Sequence, residues 1–126
     1  MRLSGQRAFG RVFANRQTTG NGVLVVHAAP RPEHEQRVAG VPAVRLGLSV
    51  SRRVGSAVER HCWKRRLREA FRLAQHELPA GYDYVVVVRG RTPPEVAALG
   101  GMLRTLSASA VRRRRRPAAA KRKEPT

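Results

Sequence analysis

The chain has 126 residues, which suffices for one domain with one buried core and leaves no room for a second. Its 26 lysine and arginine residues outnumber 8 acidic residues, for a net charge of +18. A chain of such strong self-repulsion is typical of proteins that bind a polyanion. The longest apolar runs, residues 23–26 and 85–88, are far shorter than the roughly 20 residues of a membrane-spanning helix. We therefore expect no membrane partner.

Cysteine usage and the amino-terminal residues bear on the compartment. Cys62 is the single cysteine, so no internal disulfide can form, which fits a reducing compartment. Residues 1–13 contain no continuous apolar segment and no small-residue cleavage site, so they do not predict a secretion signal. We expect a cytoplasmic protein.

The first third of the chain predicts one helix and two strands. Apolar residues recur on one helical face between Gly5 and Asn15 and predict a helix there. After a Gly-Asn-Gly breaker, Val23 to Ala29 is rich in β-branched residues and predicts a strand, as does Ala43 to Ser51. The polar, proline-containing connection between them predicts an exposed loop, with one further short strand near it.

The rest predicts helix, strand and helix. From Ala57 to Glu77, apolar residues form one buried stripe. Tyr82 to Val88 is a continuous apolar run, as in a central strand buried on both faces. Thr92 to Glu95 matches a capping box with proline at the first helical position, which predicts the start of a last helix. The resulting order is αβββαβα, an α+β sandwich with a mixed sheet.

The carboxyl-terminal residues differ in composition from the rest. Residues 111–126 hold eight basic residues and one acidic residue, a charge of +7, and few apolar side chains. This composition predicts a disordered basic tail that contacts phosphates nonspecifically or serves only solubility. We therefore predict a folded domain over residues 1–110 and a tail over residues 111–126.

The densest basic segment runs from Ser51 to Arg72, with eight basic and two acidic residues. On the predicted helix its cations fall on the flank away from the apolar stripe, which suits contacts with a nucleic-acid backbone. The alternative is a solvated charged face, but such faces usually interleave opposite charges. The candidate phosphate-binding residues are Arg52, Arg53, Arg60, Lys64, Arg65, Arg68 and Arg72.

No catalytic constellation is evident. The acidic residues are dispersed along the chain, whereas a two-metal nuclease needs several together. His61 and Cys62 are adjacent on the predicted helix and point about 100° apart, and no second cysteine completes a zinc site. No phosphate-binding glycine loop is present. We predict no catalytic residue and no metal ligand in the protein.

Three motifs together resemble the protein subunit of bacterial ribonuclease P. Residues 47–51 read G-L-S-V-S and precede two arginines, the turn V-G-S-A-V and a helix that begins R-H-C-W-K-R. The family shows a similar strand, a similar turn and an R-N-R helix. The other two motifs are F-G-R-V-F at residues 9–13 and G-Y-D-Y-V-V-V-V at residues 81–88. The chain departs from the family at His61 and Cys62, and at His27, where the family often has tyrosine.

The resemblance implies a fold, a partner and a division of labour. The fold would be a sandwich with a left-handed βαβ crossover, against the usual right-handed rule. A large RNA would hold the Mg²⁺ ions and hydrolyse the phosphodiester. The protein would bind that RNA through the arginine helix, would contact no DNA, and would receive the 5′ leader of precursor tRNA in a cleft. It would thus be the subunit of an endoribonuclease that matures the tRNA 5′ end.

The resemblance also suggests residues for the leader cleft. Aromatic rings can stack on unpaired nucleotides, although a pair of phenylalanines one helical turn apart is more often core. The candidates are Phe9, Arg11, Phe13 and His27. The alternative function is a ribosomal-protein-like RNA-binding module without a role in catalysis. The order of strand, turn and arginine helix favours ribonuclease P, because the alternative gives no reason for that order.

Overall fold

The computed structural model describes residues 6–32 and 44–113, which form three α-helices and one four-stranded sheet. The order αβββαβα is confirmed. No helix among these residues has the length and apolar character needed to cross a membrane. The elements are α1 (Gln6–Asn15), β1 (Gln17–Gly20), β2 (Leu24–Pro30), β3 (Val44–Ser49), α2 (Ala57–Ala74), β4 (Tyr82–Val88) and α3 (Val96–Arg112), with short 3₁₀ turns at Arg52–Val54 and Gln75–Glu77.

The sheet is mixed, with strand order β1-β2-β4-β3. β2 is antiparallel to both of its neighbours, whereas β3 and β4 are parallel and are joined through α2. β4 is therefore an inner strand, as its apolar run predicts, and β1 and β3 are the edges. The parallel pair is the βαβ unit that the resemblance implies; its handedness stays a prediction.

Helices α2 and α3 cover one face of the sheet and build the main core. Alternation along each strand sends Leu24, Val26 and Ala28 of β2 to this face, together with Tyr84 and Val86 of β4. The helices contribute the residues at their predicted apolar positions: Trp63, Leu67, Ala70 and Phe71 from α2, and Leu99, Leu103, Leu106 and Ala110 from α3. The apolar stripes read from the sequence are therefore the core-facing sides of both helices.

Helix α1 packs on the opposite face, against β2 and β4. The buried apolar cluster on this side is much smaller and consists of Val12, Ala29 and Val85, with Phe9 packed against it. Gly47 of β3 allows the close approach of α1, because a Cβ atom at this position would lie 2.6 Å from Cζ of Phe9. Among the described residues, α1 is the helix on this face of the sheet.

Three expectations from the sequence need correction. The additional strand is β1, which precedes β2, whereas the polar loop near which it was expected lies largely in residues 33–43, outside the described residues. Thr92 to Glu95 does not form a capping box: α3 begins at Val96, and its N-cap residue Glu95 makes no side-chain capping bond. Pro94 is the reason, because a residue before proline is driven away from helical backbone angles.

The third correction concerns the end of the domain. Helix α3 continues to Arg112, and Val111 packs against the main core, so a boundary at residue 110 falls inside the helix. The remainder of the predicted tail, residues 114–126, lies outside the described residues.

Candidate RNA-binding surfaces

The arginine helix α2 has a well-defined start. The Ser56 hydroxyl accepts a hydrogen bond from the Glu59 backbone N–H at 3.2 Å, and the Glu59 carboxylate accepts one from the Ser56 N–H at 2.8 Å. This reciprocal capping box satisfies two amide donors of the first turn. These hydrogen bonds lower the pKa of Glu59, first that from the Ser56 backbone and then that from its side chain. A Cβ atom at Gly55 would collide with the Glu59 carboxylate, so a larger residue here would displace the side chain that caps α2.

Four cations form one stripe along α2, which we call the cation stripe: Arg60, Lys64, Arg68 and Arg72. They are spaced four residues apart, and residues at this spacing are neighbours on one side of a helix. Arg60 and Lys64 are half-buried beside the apolar stripe, whereas Arg68 and Arg72 are exposed. Arg65 is exposed next to the stripe, and Arg52 and Arg53 are exposed on the 3₁₀ turn that precedes α2.

Two members of the stripe have partners within the protein. Arg72 forms a two-point ion pair with Glu69, with nitrogen–oxygen distances of 3.0 and 2.7 Å, and its hydrogen bond lowers the pKa of Glu69. Arg60 makes a long hydrogen bond of 3.4 Å to the Gly55 carbonyl. Lys64 and Arg68 make no such contact among the described residues and are the members most available to a ligand.

Arg66 lies on the other flank of α2 and has a structural role. Its guanidinium donates to the carbonyls of Pro93 and Pro94 at 2.9 and 3.1 Å and so holds the segment before α3 against α2. The Trp63 indole reaches the same segment through a hydrogen bond to the Arg91 carbonyl. The adjacent residues Arg65 and Arg66 therefore differ in role: Arg65 is exposed beside the cation stripe, whereas Arg66 binds the segment before α3.

The residues predicted for the leader cleft lie on α1 and on the face of the sheet against which α1 packs. Phe13 is 38% exposed, and its ring meets the His27 ring edge-on with 4.7 Å between centroids. Phe9 lies one turn earlier, 6.3 Å from Phe13, and is partly buried against the small apolar cluster. The structure thus brings Phe13 and His27 together on an accessible surface and places Phe9 mainly in packing.

His27 is a partly buried imidazole on this surface. Burial lowers its pKa, and the positive charge of Arg89 lowers it further, so His27 is neutral near pH 7. Its strand neighbours are Thr18 on β1 and Val85 on β4. A neutral ring beside an exposed phenylalanine offers stacking surface and one hydrogen-bonding edge without a charge.

Arg11, the fourth predicted cleft residue, is held in an ion cluster. Asp83 is fully buried on β4 and pairs with Arg11, with Arg45 through two hydrogen bonds of 2.7 and 2.8 Å, and with Arg31 at 3.5 Å. Arg11 also donates to the Pro30 carbonyl at 3.0 Å. Burial by itself raises the pKa of Asp83, but the hydrogen bonds from Arg45 and Arg11 reverse this and leave the pKa below its ordinary value.

The cluster is the feature that sequence reasoning missed. Asp83 is 72 residues from Arg11 and 38 from Arg45, so no local spacing joins them. The only available signal was an acidic residue inside an otherwise apolar strand, where an unpaired charge would be costly.

The carboxylates of the described residues do not form a metal site. Asp83 is surrounded by guanidinium groups, Glu59 caps α2, and Glu69 and Glu77 pair with Arg72 and Arg104. No group of three or more potential ligands converges within residues 6–32 and 44–113. These side chains therefore do not fit a protein-bound Mg²⁺ ion.

Together these features define a class of protein, a small basic α+β domain with a cation stripe on one helix and an open aromatic surface on the sheet. A model of the ribonuclease P family matches residues 1–108. The chain belongs to the ribonuclease P protein family.

Relatives and solved structures agree with this assignment. The ribonuclease P protein component of Caldanaerobacter subterraneus subsp. tengcongensis is 37% identical over 90 residues, 71% of each chain. That of Geobacillus kaustophilus is 36% identical over 88 residues, 70% of this chain and 67% of the relative. The ribonuclease P protein from Thermotoga maritima superposes with a TM-score of 0.68 at 27% identity, over 86% of this chain and 96% of that one.

Proposed function

We propose that this chain is the protein subunit of the ribonuclease P ribonucleoprotein and assists removal of the 5′ leader from precursor tRNA. Family membership supports the assignment, and the cation stripe on α2 is the observation that carries it. Each pair of like charges four residues apart destabilises a helix by about 0.2–0.5 kcal/mol. The stripe contains three such pairs, so it opposes folding and is explained by a polyanionic ligand.

The catalytic RNA is the ligand that we assign to the stripe. Lys64 and Arg68 project from a rigid helix, and Arg52 and Arg53 extend the positive surface before its first turn. A linear array of cations suits the regular spacing of phosphates along an RNA backbone, and it specifies position more than sequence.

The 5′ leader is the ligand that we assign to the surface around Phe13 and His27. Unpaired nucleotides bind proteins by stacking on aromatic rings, a contact that tolerates any base. Phe13 supplies a partly exposed ring, and the His27 ring holds it edge-on. Arg11 would act indirectly, since its guanidinium fixes α1 to the sheet.

The Mg²⁺ ions of the reaction would be held by the RNA subunit, which supplies the metal-assisted hydrolysis of the phosphodiester. Within residues 6–32 and 44–113, the pairing of Asp83, Glu69 and Glu77 with arginines supports this division. The protein would then bind and position substrate near the RNA, in the cytoplasm, where precursor tRNA is made.

Reconstitution tests the proposal. The purified protein is added to a bacterial ribonuclease P RNA, and precursor-tRNA cleavage is measured at an Mg²⁺ concentration too low for the RNA alone. We expect cleavage only with both subunits present. Cleavage by RNA-free protein would contradict the assignment, and so would a failure of the protein to stimulate the RNA.

A further inference from the structure

The end of α3 is fixed to the start of β1 by two buried amide side chains, Asn15 and Gln17. The Gln17 Nε2 atom donates to the backbone carbonyls of Val111 and Arg113 at 3.0 and 3.2 Å. Asn15 Nδ2 donates to Gln17 Oε1 at 2.6 Å and to the Ala28 carbonyl at 2.9 Å. Four hydrogen bonds therefore join α1, β1, β2 and the last turn of α3.

This network explains why the last turn of α3 is held in place. The final carbonyls of a helix have no partner within the helix, and here Gln17 supplies one. Because Asn15 occupies the Gln17 oxygen, the amide nitrogen of Gln17 is left to face α3. Both side chains are about 95% buried, where a satisfied polar network rigidifies its surroundings.

Three exposed arginines surround this junction, and we call them the β1-edge patch: Arg16, Arg112 and Arg113. Arg16 lies between the two amides at a positive φ of 65°, an uncommon conformation for a residue other than glycine. Among the described residues, no ion pair joins the patch to an acidic group. The sequence continues with Arg114, Arg115 and Arg116.

The patch is close to the aromatic surface and separate from the cation stripe. Thr18 is the strand partner of His27, and Arg16 lies two residues before Thr18, immediately before the start of β1. Phe13 lies in the last turn of α1, immediately before the amide network. The cation stripe lies on α2, whereas the patch lies before β1, an edge strand of the sheet, and at the end of α3, which packs on β1.

Resting on the proposed function, we propose that the β1-edge patch binds the phosphate backbone of leader nucleotides that extend past Phe13 and His27. The aromatic surface holds the unpaired bases nearest the tRNA, and the patch holds phosphates further toward the 5′ end. Gln17 is a positioning residue, because its hydrogen bonds to the Val111 and Arg113 carbonyls fix the backbone on both sides of Arg112.

Leader length is the variable that tests this. Holoenzyme is reconstituted with wild-type protein or with the triple variant Arg16→Gln, Arg112→Gln, Arg113→Gln. Its affinity is measured for precursor tRNAs with leaders of about 4 and about 16 nucleotides, the range of single-strand site sizes. We expect the triple variant to bind the long-leader substrate at least tenfold more weakly, with a log–log salt slope shallower by about 2. Binding of the short-leader substrate should be unchanged.

Two further variants complete the test. Arg104→Gln removes an exposed cation from the same helix and is the matched control, for which we expect no dependence on leader length. Gln17→Ala keeps every charge but releases the end of α3, and we expect a severalfold loss confined to the long leader. If Gln17→Ala unfolds, the triple variant alone tests the proposal, because its three replaced side chains are exposed and their loss leaves the core intact.

The outcomes separate the two proposals. An equal loss for both leaders would place the patch on the RNA subunit or the tRNA body and would overturn the inference, as would no loss at all. If wild-type protein fails to form an active holoenzyme, the proposed function itself is wrong.

Discussion

Arginines on the two sides of the sheet serve opposite purposes. On the α1 side, Arg11, Arg31 and Arg45 converge on one buried carboxylate, Asp83, and so join α1, β3, β4 and the segment that follows β2. On the other side, the cation stripe of α2 places like charges one turn apart, with Arg72 alone paired to an acid within the helix.

This comparison separates charge that supports the fold from charge that opposes it. A buried carboxylate is stabilising only while its partners remain, since a lone charge in the interior is costly. A stripe of cations on a helix places like charges side by side, and apart from the pairing of Arg72 with Glu69 an external polyanion would relieve their repulsion. The net charge of +18 therefore combines two populations of arginine that mutation can distinguish.

The largest effect should come from breaking the buried cluster. Asp83→Asn leaves three guanidinium groups without their shared carboxylate, and removing one partner of a buried ion pair costs about 3–5 kcal/mol. We expect a loss of that size in the free energy of unfolding, measured by urea denaturation. Glu77→Gln is the control, because its ion pair with Arg104 is exposed and such pairs contribute at most about 1 kcal/mol.

The same cluster predicts a pH dependence. The pKa of Asp83 is lowered in the folded state, so its stabilisation is present above the ordinary aspartate pKa of about 3.9 and is lost as pH falls through the folded value. Wild-type protein should lose stability over this acid range more steeply than Asp83→Asn. Parallel pH profiles for the two proteins would mean that Asp83 carries no stabilising charge.

The fit of α1 on the sheet gives the second prediction. Gly47→Ala places a methyl group 2.6 Å from the Phe9 ring, and overpacking of this kind costs about 1–3 kcal/mol. We expect a lower melting temperature and partial rescue by Phe9→Leu, whose smaller side chain makes room. Additive effects in the double variant would contradict direct contact, since touching residues couple.

The sequence predicts the elements of the main core well, because the signal for each element lies within that element's own residues. The apolar stripe of α2 repeats at helical spacing, the apolar residues of β4 form one continuous run, and tertiary packing agrees with both. The start of α3 was predicted wrongly because Thr92-Pro93-Pro94-Glu95 has the spacing of a capping box. The consecutive prolines override that signal by favouring extended backbone.

The ion cluster on the α1 side could not be predicted, because its contacts join residues far apart in the sequence. Arg11 lies in a motif that suggested ligand binding, and its ion pair with Asp83 depends on how α1 crosses the sheet. β1 was missed for a different reason: Gln17–Gly20 is short and polar, and its pairing with β2 is visible only in three dimensions.

The third prediction concerns the cation stripe. In the double variant Lys64→Ala, Arg68→Ala, the slope of the log–log salt dependence of RNA binding should be less steep by about 1.4–1.8, because two phosphate contacts are lost. Stability should stay equal or rise slightly, because like-charge neighbours are removed. The matched control is Arg66→Ala on the same helix, which should lower the melting temperature without changing the salt slope. Unchanged slopes in the double variant would favour a merely solvated face.

The smallest effect should come from restoring a family arginine at Cys62. This side chain is half-buried and lines a shallow depression with Ala57, Val58, His61 and Arg65. Val58 is 78% exposed, so an arginine stem can lie along it while the guanidinium reaches solvent. Cys62→Arg should therefore leave the melting temperature nearly unchanged.

The same variant should bind ribonuclease P RNA more tightly. A charge-assisted hydrogen bond to phosphate contributes about 1.5–3 kcal/mol when it is well formed, and because Cys62 is partly exposed to solvent we expect a gain below that range. Cys62→Lys is the control, since it adds the same charge without a two-point donor and should gain less. A large fall in melting temperature without tighter binding would show that Cys62 belongs to the packing of α2, so that the family motif fixes its position and not its role.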